Sequence, residues 1–433
     1  MPELKHQVAH PGENRAFQVL SSLSFALILL LVLSTPFVEM SGRVAASEKA
    51  YRIYGYGIAA LLQAVLISLR GWRRSMRIYV TALIPFLIWA GLSVIWSQDV
   101  DLTSKRLALL FVVYGGIFGG IGDLSHRRSL SVLRITLAAA LMLNLAAVFA
   151  IPELGTHGAT LWRGFMAHKN IAGMLCAFTV IVFAFDGRQV PLGVRIPVIA
   201  GSLIFLACSW SKTALIALPI ALAAGALVSR AHDRASPQIP DGPRGFATAS
   251  HALLAIVAVG LILLTLQRDL LLSLTEDTSI LTTRGAIWRP MIQFYLDSPL
   301  LGAGYGAYWE ASQNLVDSRA IKSIWKDVDH GHNGYLDLLV QVGLPGLLLA
   351  LYAALAWPLS QFATITRRQP QRAALIVATL VFSLIENFSE SSLLADDTLG
   401  NAILLIALAQ IHRVCRRSSP RASTKLSTGR TGL

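Results

Sequence analysis

The sequence predicts an all-α polytopic membrane protein with about twelve transmembrane helices and one large external loop that carries an amphipathic helix. Three observations predict it. Of the 433 residues, 54% are hydrophobic and only 14% charged, whereas a soluble domain carries about a quarter charged residues. Several apolar stretches reach the ~20 residues that cross a bilayer as a helix. Lys and Arg collect on alternate connections between those stretches, the bias that sets membrane orientation.

Spans are expected near 17–38, 51–69, 78–96, 107–122, 130–151, 170–185, 194–209, 213–229, 249–266, 335–358, 373–388 and 397–412. The first apolar run, Phe17 to Val38, is longer than the h-region of a cleaved signal, so it is expected to remain as a helix. With residues 1–16 cytoplasmic, the inside connections hold Lys5, Arg15, the Arg70–Arg77 cluster, Arg127, Arg128, Arg188, Arg195, Arg230, Arg367, Arg368, Arg372 and the basic tail 413–433. Both termini then lie inside. Residues 17–266 carry the first nine helices and 335–412 the last three. A net charge of +13 would suggest nucleic acid in a soluble protein, but the inside bias accounts for most of it and no nucleic-acid partner is expected. Cys176, Cys208 and Cys415 lie in apolar spans or the tail, and none has the spacing of a disulfide staple or a zinc site.

Two hydrophilic interruptions stand out. Residues 230–248, with Pro237, Pro240, Gly242 and Pro243, form a flexible inside linker. Residues 267–334 form the large external loop. Within it, apolar residues at 287, 288, 291, 292, 295 and 296 recur at helical spacing. Thr282 or Thr283 can cap that helix, Pro290 is tolerated near its first turn, and Gly302-Ala303-Gly304-Tyr305-Gly306 then makes a tight turn. The expected picture is an interfacial helix with Trp288 and Tyr295 at headgroup level. No internal repeat is visible, which argues against repeat-built transporter folds.

Chemistry-bearing residues collect on the external side. Arg163, His168, Lys169 and Asn170 sit at the mouth of the sixth span. Lys212 lies in the very short turn before the eighth, where a cation runs against the topological bias and needs an anionic partner such as a diphosphate. Arg284 opens the amphipathic helix, a place disfavoured by the helix dipole unless cation and free N–H groups share a phosphate. His332, in His330-Gly331-His332-Asn333, sits where the polar loop meets an apolar helix, and a neutral imidazole suits a general base. Asp327, Asp329 or Asp337 could orient it. His330 could join it on a metal, but no carboxylate set supports one and none is expected. Asn144, Gln341 and Glu386 are polar residues within spans. Glu386 is either a proton relay or a helix-end carboxylate that faces a cation.

Together these residues resemble the O-antigen ligase and polysaccharide polymerase superfamily. The family motif of His, then Asn, Ser or Gln, nine residues, Gly, two residues and Gly reads here as His332-Asn333, Gly343 and Gly346. The Arg163-to-Asn170 run looks like the exopolysaccharide-polymerase branch. Ser209-x-Ser211-Lys212-Thr213, Arg284-x-x-x-Trp288 and Pro299-x-x-Gly302-x-Gly304 are also similar to the family. The resemblance implies a GT-C-like fold in the bacterial inner membrane with a periplasmic active site. It implies an inverting, metal-independent and cofactor-free glycosyltransferase whose donor is an oligosaccharide on polyprenyl diphosphate. Lys212 and Arg284 would bind the diphosphate and His332 would take the acceptor proton. Arg163, His168, Lys169, Asn170, Asn333 and Glu386 are further candidates for substrate contact. Lys stands at 212 where ligases more often have Arg, which leans toward the polymerase branch.

Three functions are therefore expected, in order: a polymerase of lipid-linked repeat units, a ligase that transfers finished glycan to lipid A core or protein, and a glycolipid transporter. Membrane lipids are implied partners throughout, and a flippase and a chain-length regulator could accompany the polymerase.

Overall fold

The computed structural model describes residues 14–39, 45–157, 160–234, 243–273, 284–309 and 330–416. The expected linker prolines at 237 and 240, the Thr282 and Thr283 caps, Asp327 and Asp329, and the basic tail beyond 416 lie outside the described residues.

The chain is a helical bundle, and it is a multi-pass membrane protein. Its helices are α1 (Arg15–Glu39), α2 (Ala45–Arg70), α3 (Trp72–Tyr79), α4 (Ile84–Leu92), α5 (Val100–Asp123), α6 (His126–Ala150) and α7 (Pro152–Gly155). A short antiparallel hairpin follows, β1 (Thr156–His157) against β2 (Leu161–Trp162), with Thr156 opposite Trp162. Then come α8 (Lys169–Asp186), α9 (Leu192–Ser209), α10 (Lys212–Arg234), α11 (Pro243–Leu266), α12 (Arg268–Ser273), α13 (Arg284–Asp297), α14 (Gly334–Leu351), α15 (Trp357–Arg368), α16 (Pro370–Glu386) and α17 (Leu399–Arg416).

Among the described residues, nine helices are long and apolar enough to cross a membrane. A tenth span exists if α3 and the segment from α4 through Ile95 count as one, although they bend by 89°. A single straight span was expected there, near 78–96. The chain breaks because Val80 is extended and Pro85 opens a new helix in its first turn, a position where its missing N–H costs no hydrogen bond. α16, at 17 residues, and α17 are not among the nine. They occupy the two remaining expected spans, yet α17 is buried from Leu399 to Ile411. A helix enclosed by protein on all sides can carry Asn401, Gln410 and Arg413, which a lipid-facing helix could not.

The two ends of the bundle are built from different polar contacts. At one end α2, α5 and α17 finish, and Arg70 and Asp123 form an ion pair with both side chains fully buried. Arg74 adds a second contact to Asp123 at 3.4 Å, and Arg413 donates to the Ile121 carbonyl at 2.6 Å. Arg134 in the third turn of α6 pairs with Asp186 at the end of α8 at 2.7 Å. The opposite end carries the starts of α8, α10, α14 and α17 and the loop 387–398. Every candidate site residue lies there.

α14 is not continuous. Gly343 has φ 68° and ψ −178°, which interrupts the helix. The glycine is required for space as well as torsion, because a Cβ there would overlap the Leu300 carbonyl. Carbonyls freed around the break are taken up from outside the helix. Ala303 N donates to Val340 O and Gly304 N to Gln341 O, both at 2.9 Å. Trp89 Nε1 donates to Val342 O at 2.8 Å, and the Gln341 side chain accepts from Gly306 N at 2.8 Å. The glycine-rich turn 302–306 is thus docked onto the broken helix. Below the break, α14 runs through one π-helical turn, Tyr352–Ala356, into α15.

α13 is confirmed as a helix, with two differences from expectation. Pro290 lies in its second turn, not the first. Its apolar face packs on protein: Ile287, Met291 and Tyr295 are buried against Tyr308, Trp309, Val340 and Leu344. Tyr295 bonds Thr265 at 2.6 Å and Trp288 Nε1 donates to the Gly331 carbonyl at 2.7 Å. Periodicity revealed an apolar face but not what covers it, and here α14 covers it.

Candidate active site at one end of the bundle

The site is assembled on the loop 387–398, which links α16 to α17 and touches every other contributing segment. Its first residues reach α14. Asn333 caps that helix, its Oδ1 accepting from Tyr335 N and Leu336 N at 3.1 and 3.0 Å. Asn333 N donates to Ser391 Oγ at 3.1 Å. Gly334 N, an orphan donor of the helix start, is satisfied at 2.9 Å by both the Asn387 and the Glu390 carbonyls. The segment around His332 is therefore stitched to the loop through its backbone.

Ser389 joins the two cation-bearing segments. Thr213, the residue after Lys212, bonds the Ser389 hydroxyl, and the Arg284 guanidinium donates to the Ser389 carbonyl at 3.4 Å. Lys212 itself is exposed and forms no ion pair among the described residues. Two segments separated by some seventy residues thus bring the neighbour of Lys212 and the guanidinium of Arg284 to one serine.

The two histidines lie together, ring centroids 4.1 Å apart and planes at 74°. Glu390, buried, joins them: one donor atom each from His330, His332 and Glu390 all fall within 4.8 Å of one another. The amide of Asn170, at the start of α8, donates to Glu390 Oε1 at 2.6 Å. Burial pushes the Glu390 carboxyl above the usual carboxylate range, while His330, the Asn170 hydrogen bond and Arg284 draw it back down. Three donors this close could hold a divalent cation between them. The expectation of no metal rested on a missing carboxylate, and Glu390 supplies one from a distant part of the chain.

Asp337, one of three residues expected to orient His332, has another task. Its carboxylate accepts from Gly331 N at 2.9 Å and from Trp309 Nε1 at 2.8 Å. It braces the backbone between the histidines. The backbone is strained here as well. Among the described residues, the non-glycine residues with positive φ are Trp210, His332 and Leu394, at 51°, 51° and 49°. All three lie on the segments just described, in the α9–α10 turn, the histidine segment and the 387–398 loop. Such conformations cost of order 1–3 kcal/mol each and cluster where geometry serves function.

The remaining candidates separate. His168 is exposed and caps α8, accepting from Asn170 N at 3.3 Å. Arg163 supports the hairpin, its Nε donating to the Leu154 carbonyl at 3.1 Å. The turn that follows is pinned by Asn144, which accepts from Phe165 N at 2.8 Å, so this intramembrane amide is a brace. Lys169 lies at the start of α8 beside Asn170, half-buried. Glu386 was expected to act as a relay or face a cation. It is 1% exposed, neither oxygen accepts a hydrogen bond among the described residues, and the charged group acting on it is Glu390, another carboxylate. Sequence reasoning passed over Glu390, Ser389 and Ser391 as site residues. A cluster of Glu, Ser and Asn immediately after an apolar helix was the available signal.

Residues 197–351 match the family model described as O-antigen ligase. That segment includes Lys212, Arg284, His332, Gly343 and Gly346. That segment is similar to the O-antigen ligase family. The chain is also 29% identical over 165 residues to the exopolysaccharide production protein ExoQ of Rhizobium meliloti, a match that covers 36% of each chain. The family segment holds the cations and the histidine, whereas Asn170, Glu386 and Glu390 lie outside it and reach the site only through folding.

Proposed function

We propose that this chain is a membrane glycosyltransferase that polymerises oligosaccharide repeat units carried on polyprenyl diphosphate, at the periplasmic face of the bacterial inner membrane. The observation that supports it most is the convergence on Ser389: two cation-bearing segments flank the residue next to Glu390, and Glu390 adjoins the His330–His332 pair.

The chemistry follows from that arrangement. His332 accepts the proton of an acceptor hydroxyl, and the acceptor oxygen forms a bond to the anomeric carbon of the donor sugar. The bond from that carbon to the diphosphate oxygen breaks, and its electron pair leaves on the diphosphate. Lys212 and Arg284 neutralise the charge that develops there, so no general acid is needed. Attack from the side opposite the leaving group inverts the anomeric centre. Membrane lipids surround the carrier, and a flippase that supplies it and a chain-length regulator are the natural companions of such an enzyme.

The match to the O-antigen ligase family supports a second reading, in which the acceptor is lipid A core or a protein and not another carrier-linked unit. The likeness to an exopolysaccharide production protein favours the polymerase. The transporter reading is weaker, because the candidate cations Lys212 and Arg284 and the pair His330 and His332 belong to one end of the bundle and not to its middle.

Carrier-linked and surface glycans of a strain lacking the gene discriminate these functions. Single repeat units accumulating on the carrier support the polymerase. Long carrier-linked chains beside bare acceptor support the ligase, and units retained on the inner leaflet support the transporter. In complemented strains His332→Ala and Arg284→Ala are expected to abolish product at normal protein levels. Lys212→Arg should retain more product than Lys212→Ala. Full product from His332→Ala would overturn the assignment of the base.

A further inference from the structure

A buried carboxylate beside a base is the feature the mechanism above does not use. We propose that Glu390 is a positioning residue for the His332 base: its carboxylate, aimed by Asn170 at the histidine pair, fixes the ring orientation and stabilises the imidazolium formed when the acceptor proton arrives. The proposal rests on His332 acting as the base.

Three observations carry it. First, Glu390 is held at both its ends. Its side chain takes the Asn170 amide at 2.6 Å, and its own carbonyl takes Gly334 N at 2.9 Å, two residues beyond His332. A carboxylate needed only for packing does not require registration to the histidine segment. Second, the donor atoms of Glu390, His330 and His332 lie within 4.8 Å of one another. A carboxylate at that range favours the charged form of an imidazole and lowers the barrier to proton uptake. Third, Glu386 lies one helical turn earlier, fully buried, with neither oxygen hydrogen-bonded among the described residues. A second carboxyl behind the first has no hydrogen bond there that would hold a charge on it, so the negative charge on the histidine side rests on Glu390. Arg284 and Lys212 supply positive potential on the diphosphate side. The site is thereby polarised along the path of charge transfer, from a base that becomes cationic to a leaving group that becomes more anionic.

The same three donors could instead bind a divalent cation. Arg284 acts electrostatically on Glu390 and opposes a further cation there, so the positioning role is the better supported.

The test uses the purified full-length protein in nanodiscs and, as donor, the carrier-linked glycan extracted from the strain lacking this gene. Glu390→Gln keeps the shape and an amide oxygen for Asn170 but removes the charge. Turnover is expected to fall about a hundredfold, while the donor concentration at half-saturation changes by less than about twofold. Glu390→Asp should recover part of the turnover. Parent turnover in Glu390→Gln, with His332→Ala inactive, would overturn the proposal and leave the base standing. A rise in half-saturation with turnover intact would also overturn it, since Glu390 would then act in donor binding. Turnover that EDTA abolishes and zinc or manganese restores would overturn it in favour of a metal site. Parent turnover in His332→Ala would remove the base itself, a failure distinguishable from the others.

Discussion

At the scale of single residues, the site departs from what stability alone would select. His332 and Trp210 occupy left-handed backbone conformations without being glycine, and Glu386 and Glu390 bury two carboxylates within one helical turn. For Glu390 the consequence can be signed. Burial raises its pKa above the unfolded value of about 4.3. The protonated form is then favoured by folding. The stability this contributes is complete below the unfolded pKa and is lost as pH rises through the folded one. Glu390→Gln is accordingly expected to unfold at a higher temperature than the parent near neutral pH, and the difference should shrink toward about pH 4. Thermal unfolding in detergent across that pH range measures it. A variant that is less stable than the parent at neutral pH would show that the charge is fully compensated. A stabilised but slow enzyme would be the signature of a residue retained for chemistry.

At the scale of elements, α14 shows how a helix can be made incomplete on purpose. The break at Gly343 releases carbonyls that Ala303, Gly304 and Trp89 take up, so the turn after α13 is fixed relative to α14. That turn anchors the end of α13, and α13 carries Arg284 and the indole that holds Gly331. Gly343→Ala places a Cβ against the Leu300 carbonyl at a φ that L-residues rarely adopt. We expect it to cost about 1–3 kcal/mol and to reduce product through displacement of α13, although residue 343 lies far along the helix from His332. Limited proteolysis of the 298–309 segment together with glycan analysis checks this. Normal product and unchanged protease resistance would mean that the docking is dispensable. By contrast, α13 itself carries no special backbone apart from Pro290, and its position depends on the side chains it buries against α14.

At the scale of the whole molecule, the two ends of the bundle divide the work. One end is closed by the buried pair of Arg70 and Asp123, which ties α2 to α5. Removing one member leaves an uncompensated buried charge. Asp123→Ala is expected to destabilise the protein by about 3–5 kcal/mol, read as a lower unfolding temperature and less protein in the membrane. Asp123→Asn should be milder, because its amide oxygen can still accept from Arg70. Equal stability of parent and Asp123→Ala would mean that Arg74 and water compensate for the loss. The other end carries the strained turns and the buried carboxylates. A rigid far end permits this, since the helices that deliver the site residues are held along their length by the packed core of α8, α16 and α17.

Some of this was determined by the sequence alone. The helical membrane class, most span positions and the α13 helix follow from apolar length, cation placement and local motif, and the same patterns single out Lys212, Arg284 and His332 as candidates. These are properties of contiguous residues, so a one-dimensional pattern carries them. The bend between α3 and α4 was half-visible in Pro85, but the enclosure of α17 was not, because an apolar residue reads the same whether it meets lipid or protein. The tertiary structure decided which carboxylate meets the histidines. Asp337 is five residues from His332 and turns to brace the backbone, while Glu390, on another helix connection, lies beside the imidazoles. It likewise decided that Asn170 holds Glu390 and that Ser389 receives both Thr213 and Arg284. Each of these depends on where separate helices end relative to one another, and that is set by the packing of the bundle, which no local stretch of sequence encodes.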